Sequence, residues 1–128
     1  MNQDAYEKGM ALRRKVMGDK HVAKRGASPD RFTKQQNELV TSIAWGTIWS
    51  RPGLPLKIRS LVTLGMLAAL DRSDEIKGHV LGALNNGASM EEIIEVFVHA
   101  AGYCGFPASN GSVRLAVEVF KEQGLLKD

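Results

Sequence analysis

Residues 89–103 read Ser89-Met90-Glu91-Glu92-Ile93-Ile94-Glu95-Val96-Phe97-Val98-His99-Ala100-Ala101-Gly102-Tyr103. Taken alone, Val96-Phe97-Val98 favours a strand, because β-branched and aromatic side chains suit a pleated surface. The residues before it decide otherwise. Ser89, followed three residues later by Glu92, forms a capping box, in which each side chain satisfies a backbone N–H that the first helical turn leaves open. A helix opened in this way runs to about Tyr103. Helical spacing recurs along the chain and nothing reads as a paired strand. The sequence therefore predicts an all-α protein of about six helices.

On the C-terminal side, Gly105 and Pro107 interrupt the chain, and a last helix covers about Ala108–Gln123. On the N-terminal side, a helix from Ser73 to Asn85 ends at Asn86-Gly87, a C-terminal stop signal. Before it lies a helix from Leu56 to Leu70, with Pro55 suited to its first turn. From Leu61 onward this helix is apolar nearly all round, which predicts burial on most faces. A chain of 128 residues rarely encloses a helix by itself, so part of this helix is expected to meet another subunit. Arg51-Pro52-Gly53-Leu54-Pro55 separates it from a helix spanning about Asp30–Trp49. The first helix covers Gln3–Met17, with Tyr6, Met10, Leu12 and Val16 as its apolar positions. It stops near Gly18, and a loop holding His21 continues through Gly26, Ser28 and Pro29.

Length and composition suit one domain over residues 1–128: 44% of residues are hydrophobic and 24% charged. The formal net charge is +3, with acids and bases interspersed. A nucleic-acid binder would carry a longer basic face with aromatics interleaved. The basic positions Arg13-Arg14-Lys15, Lys20, Lys24 and Arg25 read instead as a solvated helix face or as anion contacts, and a mild positive balance suits a small acidic substrate. The single cysteine, Cys104, excludes an internal disulfide and a cysteine-rich zinc site, and reads as structural. The longest apolar run, Leu61–Leu70, is too short for a bilayer, and the acidic N-terminus lacks the apolar region of a secretory signal. A cytoplasmic location away from membranes is expected. No phosphate-binding or dinucleotide-binding glycine pattern is present, and the histidines do not follow a His-Glu-x-x-His arrangement, so neither nucleotide nor metal is expected.

The candidate chemistry rests on histidines, arginines and aromatics. His79 follows Glu75 by four residues on one helix, which places both on one face. The carboxylate can orient the imidazole and favour its protonated form, making a general acid; spacing alone reads first as an ordinary exposed pair. His99 lies near Val96, four residues before Tyr103, on what reads as the apolar stripe of its helix. It is either a core histidine bonded to backbone or a buried donor paired with a phenol. Trp45 and Trp49 share a face, as core or as the wall of a pocket for a flat ring. Arg51 and Arg59 are either solvated or bidentate clamps for a carboxylate.

These residues, with Gly9-Met10, Arg13-Arg14, Gly18-Asp19-Lys20-His21-Val22, Ala44-Trp45-Gly46, Arg51-Pro52-Gly53-Leu54, Arg59-Ser60-Leu61, Met66-Leu67-Ala68-Ala69-Leu70, Glu92-Ile93 and Tyr103-Cys104-Gly105-Phe106-Pro107-Ala108, run nearly end to end in an order that resembles the carboxymuconolactone decarboxylase family. The resemblance implies a helical bundle of the alkylhydroperoxidase-D type, assembled as trimers or hexamers. It implies loss of CO2 from an unsaturated five-membered lactone bearing a carboxylate and an acetate arm. No cofactor is implied, because the conjugated lactone carbonyl accepts the electrons. Arg51 and Arg59 would anchor carboxylates, with Trp45, Tyr103 and His21 as further substrate contacts. His79, poised by Glu75, would return a proton to ring carbon, and His99 would donate to the lactone oxygen or replace His79 as the acid. The alternatives are a relative acting on another small anionic ring and a non-catalytic helical assembly protein. The related peroxidase branch needs Cys-x-x-Cys before the aligned histidine. Arg72 and Glu75 occupy those positions here, which disables thiol chemistry there. After Pro107-Ala108 the chain departs from the family's alanine-rich continuation: Ser109-Asn110-Gly111-Ser112 is more polar and reads as flexible.

Overall fold

The computed structural model describes residues 3–26 and 30–127; Ser28 and Pro29 of the expected loop lie outside the described residues. Among the described residues every regular element is helical, in agreement with the all-α expectation: α1 (Gln3–Met17), α2 (Asp19–Arg25), α3 (Arg31–Leu39), a π-helical segment (Val40–Trp49), α4 (Leu56–Ala69), α5 (Ser73–Asn85), α6 (Met90–Cys104) and α7 (Phe106–Glu122). They form two compact units, Met1–Leu56 and Lys57–Asp128. None of the described helices is long and apolar enough to cross a membrane.

In the first unit, α1 buries Gly9, Arg13, Val16 and Met17. The expected apolar positions Tyr6, Met10 and Leu12 are only partly covered. The reason is a close crossing of α1 with the π-helical segment. A Cβ on Gly9 would stand 2.0 Å from the carbonyl oxygen of Thr41, and one on Gly46 would stand 2.0 Å from that of Ala5. Two backbones approach this closely only where side chains are absent, so the seam is built on glycine rather than on large apolar residues. The expected single helix over Asp30–Trp49 is in fact two kinds of helix. It begins with Asp30, whose carboxylate accepts from the N–H groups of Phe32 and Thr33, each at 2.8 Å. From Val40 the ladder widens to the π form, which commonly marks functional sites. The Thr47 hydroxyl follows the wider turn, donating to the Ser42 carbonyl five residues back at 2.9 Å. Trp45 and Trp49 stack with centroids 4.7 Å apart. They close a small core with Val16 and Met17. The segment expected as a loop around His21 is α2, begun after Gly18, whose φ of 90° suits glycine.

In the second unit, α4 to α7 surround one core containing Leu64, Ile76, Val80, Ile93, Phe97, Ala116 and Phe120. The capping box is present as expected: Ser89 Oγ accepts from the Glu92 N–H at 3.0 Å, and the Glu92 carboxylate accepts from the Ser89 N–H at 2.9 Å. Ser109-Asn110-Gly111-Ser112 is helical rather than flexible, because Pro107 pre-sets the first turn of α7 and the two serines face inward. Ser109 Oγ donates to the Phe97 carbonyl at 2.7 Å, which satisfies a hydroxyl that would otherwise be costly to bury. The expectation that α4 is buried on most faces is not met within the chain. Ser60, Leu64 and Ala68 point into the core. Ile58, Val62, Met66 and Leu70, spaced by four, form an exposed apolar stripe in which Met66 is 60% and Leu70 67% exposed.

Candidate active site

The second unit carries the acid–base candidates. Glu75 stands in the first turn of α5, where a negative charge is favoured by the helix dipole. His79 follows one turn later; its ring is half-buried and its Nδ1 is closed to solvent. Glu75 itself is exposed. Arg59 lies in the opening of α4 with its Nε likewise closed to solvent.

The start of α4 is tied to the end of α5 by a polar pair that the sequence reading did not single out. Ser60, beside Arg59, is fully buried, and its hydroxyl accepts from Asn86 Nδ2 at 2.9 Å. The available signal was a serine at the core-facing position of an otherwise apolar helix, four residues before Leu64.

His99 and Tyr103 do come together on α6, with ring centroids 5.1 Å apart and planes tilted by 38°. Neither lies in a core. The buried positions of α6 are Ile93, Phe97 and Ala100, so His99 falls on the opposite, exposed side and Tyr103 is 83% exposed. The apolar stripe that suggested a buried His99 is therefore not the inward one. Both rings line an open hollow of about 1020 Å³ with Leu61, Val96 and Cys104. Cys104 is exposed rather than a packed structural thiol.

The first unit carries the remaining candidates. Trp45 is 4% exposed and stacked on Trp49, so of its two readings the core is the one observed. Arg51 lines a shallow hollow with Lys8, Lys15 and Trp49. His21 stands on α2, where partial burial and the nearby Arg25, Arg13 and Lys24 hold its pKa below the ordinary imidazole value. Of the two readings of Arg13, the solvated helix face is not the one observed. The residue is only 7% exposed, and its Nη1 donates to Asn37 Oδ1 at 3.2 Å and Thr41 Oγ1 at 3.1 Å. Its position one turn after Gly9 on the glycine seam was the available clue. Among the described residues no cluster of three or more His, Cys, Asp or Glu side chains could hold a metal ion. The chemistry on offer is thus proton transfer by imidazole and anion binding by guanidinium.

Comparison with known proteins identifies the family. The sequence model described as the carboxymuconolactone decarboxylase family matches residues 37–118. The chain is 40% identical over 124 residues to 4-carboxymuconolactone decarboxylase of Acinetobacter baylyi, a match covering 97% of this chain and 92% of that protein. It is 43% identical over 110 residues to nitrosuccinic acid decarboxylase npaB of Metarhizium robertsii, covering 84% of this chain and 76% of that protein.

Proposed function

Because this chain belongs to the carboxymuconolactone decarboxylase family, we propose that it is a carboxy-lyase that converts 4-carboxymuconolactone to its decarboxylated enol-lactone without a cofactor. The observation that carries this reading is the near full-length identity to a 4-carboxymuconolactone decarboxylase. Breaking the bond to the departing carboxylate leaves an electron pair on the ring. The conjugated lactone carbonyl takes it up as a dienolate, so the substrate is its own electron sink. The protein must hold the carboxylates, meet the growing negative charge on oxygen and return one proton to carbon.

In this reading Arg59 and Arg51 hold carboxylates, since a planar guanidinium matches a carboxylate bidentately. His79 gives the proton to the ring carbon and Glu75 keeps it charged beforehand. Tyr103 and His99 supply donors for the lactone oxygen, and His21 stands in the supporting set. Trp45 acts through the packing of its unit. The family match runs across both compact units, which supports a single working domain over residues 1–128. We assign the protein to the cytoplasm, as a homo-oligomer of three or six subunits whose contacts include the exposed stripe of α4.

The nitrosuccinic acid decarboxylase match favours a second reading, in which the chain acts on another small carboxylate. There a nitro group would take the electrons in place of the lactone carbonyl, with the same need for a guanidinium and a proton donor. The experiment is ultraviolet absorbance of the purified protein mixed with enzymatically generated 4-carboxymuconolactone, beside a parallel assay of CO2 release from nitrosuccinic acid. Rapid enol-lactone formation is expected. Turnover of nitrosuccinic acid alone would replace the first reading with the second, and turnover of neither would overturn both.

A further inference from the structure

The first unit contains a hollow of about 810 Å³ that the proposed reaction does not use. Its lining comes from α1, α2, α3 and the opening of the π-helical segment, and its buried polar floor is Arg13. Taking a guanidinium out of water is costly unless an opposite charge compensates it. Here the hydrogen-bond partners are two neutral oxygens, Asn37 Oδ1 and Thr41 Oγ1. Asn37 is held in this orientation by its own amide, which donates to the Arg25 carbonyl at 3.5 Å. Asp19 and Glu38 also line the hollow, yet among the described residues no carboxylate forms an ion pair with Arg13. Burial and the like charge of Arg25 both disfavour the charged guanidinium of Arg13, and Tyr6 offsets them only in part. Arg14 and Lys34 supply further positive charge to the lining, while Met10, Val22 and Ala23 give it an apolar wall.

We propose that this hollow binds a small organic carboxylate, with the carboxylate on the guanidinium of Arg13 and the hydrocarbon body against Met10, Val22 and Ala23. Such a ligand supplies the missing counter-charge and covers apolar surface, which neither inorganic phosphate nor a neutral ring does. The inference concerns binding and does not rest on the decarboxylation reading.

Isothermal titration calorimetry with benzoate tests it, against inorganic phosphate and benzyl alcohol at matched ionic strength. Saturable binding of benzoate is expected, with at least tenfold weaker binding of the other two. Arg13→Met should abolish the benzoate signal. Should that variant not fold, the exposed double change Arg14→Ala with Lys34→Ala keeps the test and should weaken benzoate several-fold. Absence of benzoate binding, equal binding of benzyl alcohol or phosphate, or benzoate affinity unchanged in the folded variants would overturn the proposal.

Discussion

His21 sits among Arg25, Arg13 and Lys24, so its charged form is disfavoured by partial burial and by like charge. Its pKa in the folded chain lies below its value of about 6.5 in the unfolded chain. The unfolded chain then binds more protons as pH falls below that value, and stability is lost from about 6.5 downward. His21→Gln should flatten this decline, and thermal melts between pH 7.5 and 5 would read it; an equally steep decline in the variant would remove His21 as the cause. At His79 the expected effect is on turnover rather than stability. Positioned acid catalysis is typically worth ~10²–10⁴-fold, so His79→Gln should lose about that much kcat while remaining folded by circular dichroism. Glu75→Gln should lose less and move the pH–activity profile downward, because the imidazolium loses a neighbouring negative charge. Near-parental turnover of folded His79→Gln would transfer the acid role to His99.

The crossing of α1 with the π-helical segment makes an element-level prediction of opposite signs. Gly9→Ala and Gly46→Ala each drive a methyl group into a carbonyl oxygen 2.0 Å away. Each should cost ~1–3 kcal/mol or more, since backbone has to shift to admit it. Gly111 in α7 has open space where its Cβ would stand, so Gly111→Ala should gain up to about 1 kcal/mol from helix propensity alone. Denaturant melts of the three variants would show the contrast, and a destabilised Gly111→Ala or a neutral Gly46→Ala would break it. The same elements mark how far the sequence could be read. Strong punctuation gave α5 between Ser73 and Asn86-Gly87, and the capping box gave α6. By contrast α2 is seven residues with only Val22 and Ala23 as apolar interior, too short to show a stripe. The widening at Val40 leaves no trace in an apolar pattern. Thr41, Ser42 and Gly46 are buried although they are small or polar, because the partner helix approaches them closely at Gly9. At the candidate site, the sequence put Glu75 and His79 one turn apart on a single helix, and α5 carries both. The side on which His99 falls was not legible, because α6 is apolar on two faces, with Phe97 inward and Val98 outward.

At the scale of the whole molecule, one exposed apolar surface is the stripe of Ile58, Val62 and Met66 on α4 with Leu70 just beyond its end. Exposed apolar side chains in register along a helix mark an interaction face. Assembly into trimers or hexamers through this face predicts that Met66→Glu yields a smaller species in sedimentation velocity at micromolar concentration. Its helical content should remain, because Met66 contributes nothing to the core of its own chain. A parental protein that already sediments as a monomer would contradict the assembly, and an undisturbed oligomer in the variant would move the contact elsewhere.

Cys104 is the sole thiol of the chain, and it stands exposed in the same hollow as His99 and Tyr103. A maleimide dye therefore attaches at one defined position without any prior removal or introduction of cysteines. The rate at which that label is taken up then reports whether the hollow is covered. A substrate, a neighbouring subunit or a closing segment that covers His99 would slow it, and dilution or washing would restore it. The chain thus carries one addressable thiol beside residues proposed to meet the substrate.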